Sequence, residues 1–225
     1  MKKLFFIFIF NFLFAGFPNY YYKLSIKEQK KEFKKILLPM IREANDRILF
    51  ERNKIIEIFN NPFAIFQKDE LKFLIFEAKR YKIKDIFNKK EFLKKVDIIP
   101  ENLVLAQGAI ESAWGRSYFV KVANNLFGQW DYSGRGVIPR NRDENATHTI
   151  RIFRSLKDSL SVYMRNLNRN PAYKEFRELR YKYHQKGEKF TSLKAATTLH
   201  RYSELGDTYV KILQNLIKQF RKERE

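Results

Sequence analysis

Apolar residues recur at steps of three and four from Ile26 to about Asn60: Phe33, Ile36, Leu37, Met40, Ile41, Ala44 and Ile48. That spacing lays them along one face of a helix. Pro39 falls inside the run, as a kink or as the first residue of a second helix. Asn61-Pro62 marks a turn, and Leu71, Leu74, Ile75, Ala78 and Tyr81 form the stripe of another helix before the short "NKKEFLKKV". This basic, amphipathic third shows no convergent polar groups and reads as packing or binding structure.

At Pro100 the pattern changes. "PENLVLAQGAIESAW" opens on proline, with Glu101 in the first turn where the macrodipole favours negative charge. Between 103 and 114 every residue is apolar or small except Gln107, Glu111 and Ser112, the mark of a helix buried on all sides. It is expected to stop at Gly115. "SYFVKVAN" adds one or two helical turns, and "NNLFGQW" is a turn. Val137-Ile138 then begin a strand, "RNRDEN" turns, and "THTIRIF" (147–153) is rich in β-branched residues, which predicts a hairpin. Helical spacing returns over 156–168, 173–184, 193–199 and from 207 onward. The expected class is mainly α (α+β), a helical lobe with a small β-hairpin lobe, preceded by N-terminal helices.

The first residues form a separate signal. Lys2 and Lys3 precede an apolar run over 4–14 and the small pair Ala15-Gly16, the order of an export signal. The run is shorter than the roughly 20 residues a spanning helix needs. Residues 1–16 are therefore expected to be a signal peptide, with an uncleaved N-terminal anchor as the alternative. The first places the chain in the periplasm; the second also holds it at the inner membrane. Residues 17–96 form the N-terminal helical region and 97–225 the remaining domain.

Charge narrows the partners. The 225 residues carry 45 Lys and Arg against 25 Asp and Glu, a net charge of +20. Such an excess points to nucleic acid, a membrane surface or a polyanionic wall, although lysine-rich coding would produce the same number without any partner. Export argues against nucleic acid. The chain has no cysteine, which excludes disulfides, a thiol nucleophile and cysteine-ligated zinc. His148, His184 and His200 lie far apart in no ligand spacing, so neither a metal nor a cofactor is expected.

One carboxylate stands out. Glu111 ends the buried helix, seven residues after Val104 on the same stripe, with Gly108 one turn earlier leaving space beside it. An unpaired carboxylate taken out of water has its pKa raised. A carboxylic acid kept protonated near neutral pH is what a glycosidase needs to donate a proton to a leaving oxygen. The competing reading pairs Glu111 with Arg116 or Arg154.

"LAQGAIESAWGRSYFVKVANNLFGQW" resembles the catalytic core of the glucosaminidases of glycoside hydrolase family 73, and is most similar to their Bax-type branch. The resemblance continues through "RDENATHTIRIFRSLKDSLSVYMRNLNRNPAYKEFRELR" and "LHRYSELGDTYVKIL", and covers most of 97–225. It implies a lysozyme-like fold with the catalytic Glu at the end of a central helix, facing a β-hairpin across a sugar groove. It implies cleavage of the β-1,4 bond between N-acetylglucosamine and N-acetylmuramic acid in peptidoglycan glycan strands. A muramidase or lytic transglycosylase on the same fold, or a non-catalytic wall-binding protein, are the alternatives. Glu111 matches the general acid, Ser112 and Trp114 the residues that pack the helix end, and Asn125, Phe127 and Gly128 the turn bordering the groove. "YSELGDTY" resembles the family's Tyr-Ala-Thr-Asp-Pro-x-Tyr segment through Tyr202 and Tyr209, with one extra residue. The family's hairpin Glu has no counterpart, and the acids left on the hairpin are Asp143 and Glu144. Failing those, the substrate's own N-acetyl group would act. Gln107, Asn125, Phe127, Gln129, Trp130 and Tyr202 are the candidate substrate-binding groups.

Overall fold

The computed structural model describes residues 16–61, 63–139 and 148–222. The export run, Asp143 and Glu144 lie outside the described residues. A capping box between Ser25 and Glu28 starts α1 (Ile26–Asn60), which runs through Pro39 as one helix and buries Phe33, Leu37, Ile41, Ile48 and Ile55. α2 (Lys68–Tyr81) and α3 (Lys89–Lys95) follow, the latter capped by Asn88 accepting from the Glu91 amide. α4 (Glu101–Glu111) is the central helix: Leu103, Val104, Leu105, Ala106 and Ala109 are all buried. It packs against α1 on one side and, on the other, against α8 (Ser192–Ala196) and α9 (Asp207–Lys222). Between them come α5 (Tyr118–Ala123), β1 (Trp130–Asp131), β2 (Thr149–Ile150), α6 (Leu156–Arg169) and α7 (Lys174–Gln185). The molecule is mainly α with a small β part, consistent with a lysozyme-like fold.

The sheet differs from the expected hairpin. β1 pairs antiparallel with β2, Trp130 opposite Ile150 and Asp131 opposite Thr149, so the first strand sits at 130–131 rather than 137–138. Val137 makes a single bridge to the same Ile150. Gly136 permits that approach, because a Cβ there would stand 2.3 Å from the Ile150 carbonyl oxygen. Past Ile150 the ladder ends and Ile152 is exposed, so the strand expected over 147–153 is cut short.

Two buried polar clusters fix the helices, and neither was visible in the apolar stripes. Arg180, 1% exposed, donates to the carbonyls of Lys94, Asp97 and Ile98 and to Asn168 Oδ1. The Asn45 amide exchanges hydrogen bonds with the backbone of Ile99, both at 2.9 Å. Together these hold the segment that enters α4. Arg80 bridges Glu51 and Glu77, each at 2.7 Å, while the Tyr81 hydroxyl donates to Glu51. Convergent polar groups therefore do occur in the N-terminal third, contrary to the sequence expectation.

Candidate active site

α4 stops at Glu111 rather than at Gly115. Ser112 turns its hydroxyl back to the Gly108 carbonyl at 2.5 Å and accepts from the Gly115 amide at 2.8 Å. Ala113, Trp114 and Gly115 then take left-handed backbone one after another, with φ of 48°, 56° and 74°. Each non-glycine residue in that region costs about 1–2 kcal/mol. Aromatic packing holds the turn: Trp114 meets Phe33 and Phe220 edge-on, and the Tyr21 hydroxyl donates to the Trp114 carbonyl at 2.7 Å. Phe17 fills the space beside Gly115, where a Cβ would lie 2.3 Å from its ring. The sharp turn leaves the Glu111 side chain half-buried at the tip of its helix.

Among the described residues no ion pair reaches Glu111, and Arg116 donates instead to Gln29. Among the described residues its carboxyl accepts one hydrogen bond, from Tyr209 on α9, Oη to Oε1 at 3.0 Å. Burial pushes the carboxyl pKa up, partly offset by the Tyr209 hydroxyl. The negative end of the α4 macrodipole acts in the same upward direction. Space beside Glu111 does not come from Gly108, whose missing Cβ is met by the rings of Phe127 and Phe33 at 3.6 Å.

Behind Tyr209 the chain of donors continues inward. Gln107 Nε2 donates to Tyr209 Oη at 3.1 Å, and the Tyr163 hydroxyl donates to Gln107 Oε1. The amide sets the direction: because Tyr209 accepts from Gln107, its own proton is free for Glu111. Tyr202 stacks on Tyr209 at 5.4 Å, and Tyr173 lies tilted against Tyr202 at 6.2 Å. Burial, and then the charge of Glu111, raise the pKa of both Tyr202 and Tyr173, so these hydroxyls stay protonated.

The expected substrate-binding groups fall into two sets. Gln107, Asn125 and Phe127 are buried supports rather than surface groups. Asn125 Nδ2 donates to the carbonyls of Gln129 and Arg151 and its Oδ1 accepts from the Gln129 amide, which ties the turn to the small sheet. Phe127 stacks on Tyr163 at 3.7 Å. Trp130, by contrast, is exposed beside Tyr132 and stacks on His148 at 4.0 Å. Gln129 is half-buried and its Oε1 finds no hydrogen-bond partner among the described residues, while Tyr202 joins the tyrosines around Glu111. The sequence reading missed Asp131 on β1, whose Oδ2 accepts from the Ser133 hydroxyl at 2.7 Å and the Arg135 amide at 3.2 Å. The Ser133 hydroxyl, with the backbone amides of Ser133 and Arg135, holds the Asp131 carboxyl below the usual range. A cavity of about 690 Å³ lies at the opposite end of α4, lined by Pro100, Asn102, His184, Phe190 and Arg221, and is not part of this site.

A family profile, mannosyl-glycoprotein endo-beta-N-acetylglucosaminidase, matches residues 86–222. The chain belongs to this glucosaminidase family. It is 33% identical over 187 residues to protein bax of Escherichia coli (strain K12), across 80% of this chain and 66% of that relative's length. No solved structure gives a significant match. Family membership makes this a glycoside hydrolase domain, with Glu111 at the end of its central helix.

Proposed function

We propose that the chain is an exported peptidoglycan hydrolase, an endo-β-N-acetylglucosaminidase that cleaves the β-1,4 bond between N-acetylglucosamine and N-acetylmuramic acid. The observation that carries this reading is the half-buried Glu111 carboxyl, unpaired among the described cations and served by one tyrosine hydroxyl. With Tyr209 occupying Oε1, the proton of the neutral acid resides on Oε2. It passes to the glycosidic oxygen as the bond from the anomeric carbon to that oxygen breaks. Positive charge then develops at the anomeric carbon, and Glu111 is left ionised. The Tyr209 hydrogen bond strengthens as the carboxylate forms, so it favours the transition state over the ground state.

Water, or the acetamido oxygen of the substrate, completes the displacement. Asp131, Asp143 and Glu144 are the carboxylates that would activate water or stabilise the cation. The exposed Trp130 and Tyr132 offer flat apolar faces to sugar rings. Residues 1–16 direct the chain to the periplasm, as a cleaved signal or as an anchor.

The test is mass spectrometry of borohydride-reduced sacculus digests, wild type beside Glu111→Gln. Reduced N-acetylglucosamine ends from the wild type only are the expected result. Reduced muramic acid or 1,6-anhydro ends would move the cut to the other bond. Intact sacculi with both proteins would leave a wall-binding protein.

A further inference from the structure

Large apolar side chains stand in solvent at the end of α1 away from Glu111. Phe63 is 77% and Phe66 82% exposed in the turn that leads into α2; on that helix Phe76 is 57% and Ile75 50% exposed. These four are not scattered. Positions 68, 72, 75, 76 and 79 fall within about a quarter to a third of the turn of a 3.6-residue helix, and all five are exposed. The same face therefore carries Lys68, Lys72 and Lys79 among the apolar residues. Asp69 is the acid on it, and it pairs with Lys72 at 3.6 Å. The opposite face, with Leu74, Ala78 and Tyr81, is buried.

Monomeric proteins keep exposed apolar patches small, and contiguous ones mark an interaction site. A polyanion such as the wall or a nucleic acid would need only the lysines. Ile75 and Phe76 interleaved with three lysines on one face of α2, with Phe63 and Phe66 in the turn before it, match the boundary of a lipid bilayer, apolar groups among the acyl chains and ammonium groups at the headgroups. We propose that this face docks peripherally on an anionic lipid bilayer. Among the described residues no helix is long and apolar enough to cross a membrane, and docking of this kind requires none. Trp114, beside Glu111, packs on Phe33 near the start of α1, so about 40 Å of helix separates the Phe63–Phe66 turn from the catalytic end, and about 27 Å separates the far end of α2, which lies level with Glu51. α1 would then hold the catalytic lobe away from the bilayer. The inference is independent of which glycosidic bond is cut.

The chain has no cysteine, so a single introduced one carries a unique label. Gln67→Cys, exposed between Phe66 and Lys68, bears an environment-sensitive fluorophore; Val122→Cys, on α5 beside the leader end, is the control. With phosphatidylglycerol vesicles the Gln67 label should blue-shift and be quenched by lipid-borne quencher. Each lysine adds roughly a fivefold factor on an anionic surface, so Lys68→Gln/Lys72→Gln/Lys79→Gln should weaken binding by about 100-fold. Phe63→Ser/Phe66→Ser/Phe76→Ser should abolish the shift while the far-UV spectrum is unchanged, since these side chains are exposed. No shift at Gln67, a shift at Val122 alone, equal shifts with phosphatidylcholine, or a response to sacculi but not vesicles would each overturn the proposal.

Discussion

Tyr209 gives its hydroxyl proton to Glu111 across 98 residues of chain, Oη to Oε1 at 3.0 Å. That contact joins the start of α9 to the end of α4, and together with burial it sets the environment of the proposed acid. Burial raises the Glu111 pKa and so favours its protonated form, while the Tyr209 hydroxyl favours the carboxylate.

Replacing Glu111 by Gln should lower kcat on glycan strands by about 10²–10⁴-fold, the range of a lost general acid. The same change should raise the melting temperature at neutral pH. A carboxyl whose pKa is raised on folding holds its proton more tightly in the native state. Its stabilising contribution is complete below the unfolded pKa and is lost as pH rises through the folded one. The two proteins should therefore melt together in acid and diverge toward neutrality, the variant higher. Differential scanning calorimetry across pH reads this directly, and a variant less stable at neutral pH would contradict the assignment.

Tyr209→Phe removes a hydrogen bond to a charged group, and kcat/KM should fall by about 10–100-fold. Because that hydroxyl lowers the Glu111 pKa, its loss raises it. The basic limb of the kcat/KM profile should then move to higher pH. Gln107→Leu should lower the rate in the same direction and also destabilise the fold by about 1–3 kcal/mol, since the buried Tyr163 hydroxyl loses its acceptor while Tyr209 keeps Glu111. A fall in rate with an unmoved pH limb in Tyr209→Phe would make Tyr209 a packing residue only.

The second catalytic group is separable by substitution. Asp131→Asn, Asp143→Asn and Glu144→Gln, assayed singly on sacculi, should show one loss of about 10²-fold or more if a protein carboxylate assists at the anomeric carbon. Near-wild-type rates in all three would point to the substrate's acetamido group. The anomer released, followed by NMR, then distinguishes retention from inversion.

Asp97 is buried with Arg52, Arg180 and His184 around its carboxylate, the His184 contact being 3.1 Å. Burial raises its pKa, but Arg180 and then the other two partners outweigh it and hold the group below the usual carboxylate range. A depressed pKa contributes stability above the unfolded value that is lost as pH falls through the folded one. Asp97→Ala should cost about 3–5 kcal/mol near neutrality, as it leaves Arg180 buried without its counter-ion. Urea unfolding at neutral and acidic pH checks both, and the deficit should shrink in acid.

Gly115→Ala should destabilise the protein by more than about 1 kcal/mol, because φ is 74° and the new Cβ would stand 2.3 Å from the Phe17 ring. Gly128→Ala makes the contrast: φ is 61° there too, but nothing lies within 4 Å, so only the backbone strain remains. Thermal unfolding of the pair separates crowding from strain. Equal losses would remove Phe17 from the support of the Glu111 turn.

The periodicity of apolar residues was enough to find α1, α2, α6 and α9, because a helix that must bury a face writes a 3.6-residue period into its own sequence. α4 was legible as central because it is apolar on all sides, and Glu111 because one carboxylate in such a helix is conspicuous. The strand at Trp130-Asp131 was not legible: two residues carry no period, and their partners Ile150 and Thr149 lie far along the chain. Nor could local pattern show that Gln107 and Asn125 point inward, since an amide serves a buried network or a ligand equally well. Sequence by itself thus determined the helical class, the buried helix and its acid. Tertiary structure alone decided which hydroxyl faces that acid and how Arg180 and Arg80 are neutralised. Those contacts join residues 98, 83 and 29 positions apart, and their energies depend on distance and burial in space rather than on neighbours along the chain.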